Sequence, residues 1–154
     1  GYEQIAAIFL ETAENEKEHA KVFFKYLEGG EVEITASYPA GVIGDTAANL
    51  KAAADGEKHE WSALYAEFER VAREEGFRDI AESFHEIAEV EEFHEIRYRR
   101  LAANIANGEV FRKKAPVKWH CRNCGYVHEG VEAPDACPAC RHPKAHYEVL
   151  AENY

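Results

Sequence analysis

The residues of this 154-residue chain best suited to chemistry fall into two sets. The first is its four cysteines, Cys121, Cys124, Cys137 and Cys140, arranged as two C-x-x-C pairs. Two such pairs about a dozen residues apart place four thiolates around one tetrahedral metal ion. Spacing alone does not separate zinc from iron, and a structural zinc ribbon fits it as well as an iron centre does. A redox disulfide fits less well, because both pairs are placed to share one ion. Disulfides of a secreted protein would also be scattered along the chain, so the pattern points to a reducing, cytoplasmic setting. The second set is Glu16 and His19, Glu57 and Glu60, and Glu91 and His94, three pairs spaced i, i+3. Carboxylates and imidazoles together suit iron or manganese better than a thiolate-seeking metal.

Long helices are needed to position the second set. Helical periodicity runs over residues 2–28, ending at Gly29-Gly30, and over 45–75, ending at Gly76. A third helix is expected over 77–107, ending at Gly108. Helices of roughly 30 residues span roughly 40 Å, ordinary lengths for a bundle. Gly76 alone separates the second from the third, so these two are expected to be antiparallel. Residues 29–44 are too long for a hairpin and read as a crossover connection along the bundle.

Along each helix an apolar seam is interrupted once. The first reads Ile5, Phe9, Thr12, then Glu16 and His19, then Phe23. The second reads Leu50, Ala53, then Glu57 and Glu60, then Leu64, Phe68 and Val71. The third reads Ile80, Phe84, Ile87, then Glu91 and His94, then Tyr98, Leu101 and Ile105. A single E-x-x-H is expected by chance in a chain this rich in glutamate. Three interruptions in phase and at one depth are not. Burying four uncompensated carboxylates costs several kcal/mol each, and a pair of metal ions removes that penalty. Glu18, Glu92 and Glu95 lie one position off the seam and are expected on the solvated face. His59 and His85 are expected beside it.

The domains expected are residues 1–108, a helical di-metal bundle, a linker at 109–117, and a small tetracysteine domain at 118–154. The latter is too short to fold on apolar burial alone. A net charge of −11 argues against nucleic acid and anionic membranes. No apolar run reaches the roughly 20 residues of a membrane span. The chain opens on Gly1 and contains no methionine. Three seams also leave one side of a four-helix core open, so a fourth helix is expected from outside these residues, with a further glutamate.

The stretches ENEKEHA, GEKHEW, EEFHE and CRNCGYVHEG, in this order, resemble the rubrerythrins over essentially the whole chain. The resemblance implies a ferritin-like bundle with two irons and a rubredoxin-like domain with one Fe(Cys)4 centre. It also implies reduction of hydrogen peroxide to water in defence against oxidative stress. Electrons would come from an external, NAD(P)H-linked donor through the cysteine-bound iron. Carried over by motif, Glu16 and Glu91 bridge the irons, Glu57 and His94 end on one, and Glu60 on the other. His19 exchanges with Glu60 when the oxidation state changes, and Tyr65 hydrogen-bonds a ligand carboxylate. A homodimer is expected, with the missing helix from another chain or a swapped subunit. Arg141 replaces the glycine usual at this point in stand-alone rubredoxins. The competing functional readings are a ferroxidase or iron store, which leaves the tetracysteine domain without a purpose, and a structural scaffold, which leaves the buried carboxylates unexplained.

Overall fold

The computed structural model describes residues 1–154. Its helices are α1 (Glu3–Phe24), α2 (Thr46–His59), α3 (Tyr65–Glu75) and α4 (Arg78–Ala106). A π-helical turn, Glu60–Leu64, joins α2 to α3, so these form one long interrupted helix. Strands β1 (Arg112–Cys121), β2 (Val127–Glu132) and β3 (Tyr147–Val149) come after the helices. The chain divides into two compact units, Ala13–Ala102 and Gly1–Thr12 with Ala103–Tyr154.

Partner residues fix the helix directions in the first of these units. From α1 to α4 the contacts are Glu16 with His94, Phe23 with Phe84, and Tyr26 with Ser83. From the interrupted helix to α4 they are Asp55 with Arg99, Trp61 with Glu95, and Phe68 with Phe84. In both series one number rises as the other falls, so α4 is antiparallel to both neighbours. α1 and α2 therefore run the same way, and consecutive parallel helices require a long return. Residues 29–44 supply it without regular secondary structure. Val32, Ile34, Tyr38, Val42 and Ile43 are exposed along it.

Local chemistry sets the element ends. Asp45 caps α2 by accepting a hydrogen bond from the Ala48 N–H at 2.8 Å. Gly76, at φ 87°, closes α3 in a left-handed cap, with Phe77 N–H donating to Ala72 O at 2.8 Å. α1 stops at Phe24 rather than residue 28, because the last turn tightens to three-residue bonds such as Tyr26 N–H to Phe23 O.

The π turn inserts one residue into the seam. On this helix Ala54 and Ala72 are buried, while Ala53 and Val71, read from sequence as the seam, are only partly buried. An aromatic cluster fills the bundle here, with Phe23, Tyr65 and Phe68 around Phe84 at centroid distances of 4.9, 5.9 and 5.3 Å.

In the other unit the antiparallel sheet has the order β2-β1-β3. Residues 112–117, read from sequence within a linking segment, begin β1. Its register with β2 shifts between Arg112 and Val117, the stretch where Pro116 has no N–H to donate. From Val117 onward inward residues alternate: Trp119 and Cys121 are fully buried and pack with Ala133, Cys137 and Tyr147. Trp119 satisfies its indole N–H on Gly130 O at 2.9 Å.

Two matching hairpins carry the cysteines. Cys121 N–H donates to Tyr126 O and Cys137 N–H to His142 O, both at 2.8 Å. The fifth residue of each turns left-handed: Gly125 at φ 82° in the first, Arg141 at φ 65° in the second. An L-residue with a Cβ is strained there by roughly 1–2 kcal/mol. Arg141→Gly is expected to stabilise this unit by about 1 kcal/mol after the loss in chain entropy. Calorimetry on the metal-loaded protein should show its midpoint rise by a few degrees; an unchanged or lower midpoint would mean no strain is relieved.

Candidate metal centres

The three interrupted seams do meet. Glu16 and His19 project from α1, Glu57 from the last turn of α2, Glu60 from the first residue of the π turn, and Glu91 and His94 from α4. Ligand atoms of Glu16, Glu57, Glu91 and His94 all lie within 4.8 Å of one another. His94 Nδ1 is 2.9 Å from Glu91 Oε2, 3.3 Å from Glu16 Oε1 and 3.7 Å from Glu57 Oε1. His19 Nδ1 joins them at 3.0 Å from both Glu16 Oε2 and Glu91 Oε1. Glu60 stands outside the quartet but within reach of its charge.

Glu91 is fully buried, Glu57 and His94 nearly so, while the Glu16 side chain is 40% exposed, so the cluster is open on the α1 side. Both Glu91 oxygens, Glu16 Oε1 and His94 Nδ1 are buried without an aligned hydrogen bond, despite their short separations. A cation among them would satisfy all of these converging atoms at once. The residues therefore fit a carboxylate- and imidazole-bound metal pair.

The electrostatics agree. Burial pushes Glu60 up to about 7, and the charges of Glu57, Glu91 and Glu16 push the same way. Burial also raises Glu57. Burial opposes ionisation of Glu16, but the His19 and His94 imidazoles outweigh it and hold that carboxyl at about 2. Glu16 and Glu91 raise His19 to about 9, and Glu16, Glu57 and Glu91 raise His94 to about 11. Near neutral pH the two imidazoles therefore hold protons in place of a metal ion. Metal uptake must displace them, and each displaced proton weakens apparent affinity tenfold per unit fall in pH. Competition titrations at pH 8 and 6 should show affinity falling at least about tenfold per pH unit. A flat profile would mean that these imidazoles do not ligate.

Of the residues expected off the seam, Glu18, Glu92, His59 and His85 are exposed, and His85 lies 3.2 Å from Glu69. Glu95 is not on the solvated face: it is buried, and accepts hydrogen bonds from Trp61 Nε1 at 2.7 Å and Arg99 Nε at 2.6 Å. Helical phase misplaces it because the π turn, invisible to hydrophobic periodicity, carries Trp61 against α4. Tyr65 packs its ring among Phe23, Phe68 and Phe84, and burial, followed by the charges of Glu91 and Glu60, raises its hydroxyl so that it keeps its proton.

The four cysteines are free thiols with Sγ–Sγ separations of 3.8 Å for Cys121–Cys140 and 3.6 Å for Cys124–Cys137. Both are far beyond the roughly 2.05 Å of a disulfide. An ion about 2.3 Å from each corner of a tetrahedron sets its sulfurs about 3.8 Å apart, so the cysteines fit one metal. The His142 N–H aimed at Cys140 holds that thiol low, at about 5. The Tyr126 N–H lowers Cys124 too, but burial and the neighbouring sulfurs outweigh it and push that thiol up to about 12. Four sulfurs this close cannot all ionise without a cation.

Comparison with known proteins matches residues 1–102 to the rubrerythrin family and residues 119–148 to the rubrerythrin rubredoxin-like domain. Rubrerythrin of Nitratidesulfovibrio vulgaris is 57% identical over 154 residues, which is 100% of this chain and 81% of that protein. Rubrerythrin of Porphyromonas gingivalis is 57% identical over 100% of this chain and 77% of its own length. Among solved structures, nigerythrin in a partially reduced state aligns with a TM-score of 0.60 at 31% identity, covering 97% of this chain and 72% of that one.

Proposed function

Because the chain belongs to the rubrerythrin family, we infer that it is a non-haem di-iron peroxidase, reducing hydrogen peroxide to water in defence against oxidative stress. The observation that carries this reading is one chain holding both a Glu/His quartet between its helices and a four-sulfur site. Balance requires two electrons and two protons for each peroxide cleaved to two waters. The bundle irons, when bound, supply the charge and the electron pair for breaking the O–O bond.

The protein's own residues fix where this happens. Glu16 and Glu91, each within reach of both imidazoles, would help to hold the metals. Glu57, His94, Glu60 and His19 would complete the set of residues available to them. Tyr65, Phe23, Phe68 and Phe84 pack their rings together on the side of the cluster next to Glu60. The tetracysteine site would hold one iron in four thiolates and pass electrons from an external NAD(P)H-linked donor. Free thiols throughout suit a cytoplasmic setting. No helix is long and apolar enough to cross a membrane.

Val90, Phe93 and Ile96 are exposed along α4. A helix from another polypeptide, or from a second copy in a homodimer, would cover them and add a carboxylate to the centre. The test is peroxide consumption by iron-loaded, pre-reduced protein under anaerobic conditions. One equivalent of peroxide should oxidise the bundle irons of one centre; reaction with dioxygen but not with peroxide would sink the peroxidase reading in favour of a ferroxidase.

A further inference from the structure

Glu95 is 9% exposed, adjoins the candidate ligand His94, and has no place in the carboxylate quartet. Such a buried carboxylate needs another reason to be charged inside the bundle. Its two oxygens are both engaged. Oε2 accepts from the Trp61 indole N–H at 2.7 Å, and Oε1 from Arg99 Nε at 2.6 Å. Arg99 Nη2 then reaches Asp55 Oδ1 at 3.2 Å, and Lys51 Nζ binds the other Asp55 oxygen at 2.5 Å. The chain of side chains starts two residues before Glu57, crosses to α4 beside His94, and returns to the residue after Glu60.

That return point is the π turn. The turn is closed by the Tyr65 N–H donating to Glu60 O, so the backbone of a candidate ligand is itself the hinge of the widened turn. π turns are rare in helices and occur mostly as single turns, frequently at functional sites. Reversion to α geometry removes one residue from the turn and rotates the downstream helix by about 100° relative to the upstream one. Either Glu60 or the Trp61–Tyr65 face would then leave its register. The indole of Trp61, bonded to α4, opposes that rotation.

We propose that Trp61, Glu95, Arg99 and Asp55 form a positioning clamp that holds the π turn open and keeps the Glu60 carboxylate at the metal cluster. The clamp rests on the two-metal reading of the bundle, and acts on the ligand through the backbone rather than by touching the metal. Breaking it should cost affinity for the metal on the Glu60 side, while the quartet around Glu91 keeps the other. Outer hydrogen-bond partners of metal ligands are worth about 10–100-fold in metal affinity, which sets the scale.

The test is a cobalt(II) titration of the wild-type chain and of Trp61→Phe, monitored by visible absorption and circular dichroism. Thiolate-to-cobalt charge transfer separates the cysteine-bound ion from those in the bundle. The wild type should take up two ions in the bundle. Trp61→Phe should bind the first unchanged and the second about tenfold more weakly, with altered d–d bands and an unchanged helical signal. Arg99→Gln, at a half-exposed side chain, keeps the measurement open should Trp61→Phe fail to fold, and should weaken the second ion about threefold. Wild-type affinity and spectra in either variant would overturn the clamp. A wild type that binds fewer than two bundle ions would overturn the two-metal reading and the clamp with it.

Discussion

Glu91→Gln is expected to abolish paired metal binding in the bundle and also to lower the stability of the metal-free helices. Glu91 is fully buried, and its two oxygens lie 3.0 Å from His19 and 2.9 Å from His94. A glutamine has the same shape, but its amide nitrogen has no lone pair for a metal, so the side chain can no longer bridge. Affinity for the ion pair should fall by at least about 100-fold, at or beyond the upper end for loss of a ligand's partner. The metal-free bundle should lose stability as well. Without metal, Glu91 faces two imidazoles that hold protons near neutral pH, and removing its charge leaves both of them short of a partner. Scanning calorimetry with and without ferrous iron reads both effects. The variant should lose the upward shift of the midpoint caused by iron, and its metal-free midpoint should fall. A variant that still shows the full iron-dependent shift would remove Glu91 from the site.

Replacing Cys121 and Cys124 together by serine is expected to stop steady peroxide turnover with an external donor, yet spare one oxidation of a pre-reduced bundle. Serine hydroxyls do not ionise near neutral pH and are poor partners for a metal that four thiolates hold. Cys121 is fully buried beside Trp119 and Tyr147, so this unit also loses order along with its ion. The helical ligands come from α1, the interrupted helix and α4, and none comes from the sheet. Donor-linked turnover should therefore fall by at least about 100-fold, whereas a stopped-flow single oxidation should keep its amplitude. Normal turnover in the double variant would mean that electrons reach the bundle without the cysteines.

The residues that the sequence makes legible are those whose periodicity and chemistry coincide. Ile5, Glu16, Glu91 and Leu101 could be placed because a seam of i, i+3 and i, i+4 steps survives along α1 and α4. The interrupted helix is different. Its pattern reads as continuous through Leu50, Glu57 and Leu64, and nothing in residue types around Glu60 announces an inserted residue. That insertion hides the contact from Trp61 to α4 and with it the burial of Glu95. Residues 112–117 read as a linker because lysines and Pro116 mask the alternation that begins at Val117. Arg141 is legible as a departure, but its left-handed backbone is known only from the turn that it completes.

The assignment of two metal centres is tested by anomalous diffraction from crystals of the iron-loaded protein, recorded at the iron edge. Two peaks are expected between α1, the π turn and α4, within ligand distance of Glu16, Glu57, Glu60, Glu91 and His94, and a third among Cys121, Cys124, Cys137 and Cys140. An iron peak at the cysteines alone, with Glu91 and His94 facing each other across a metal-free interior, would contradict it.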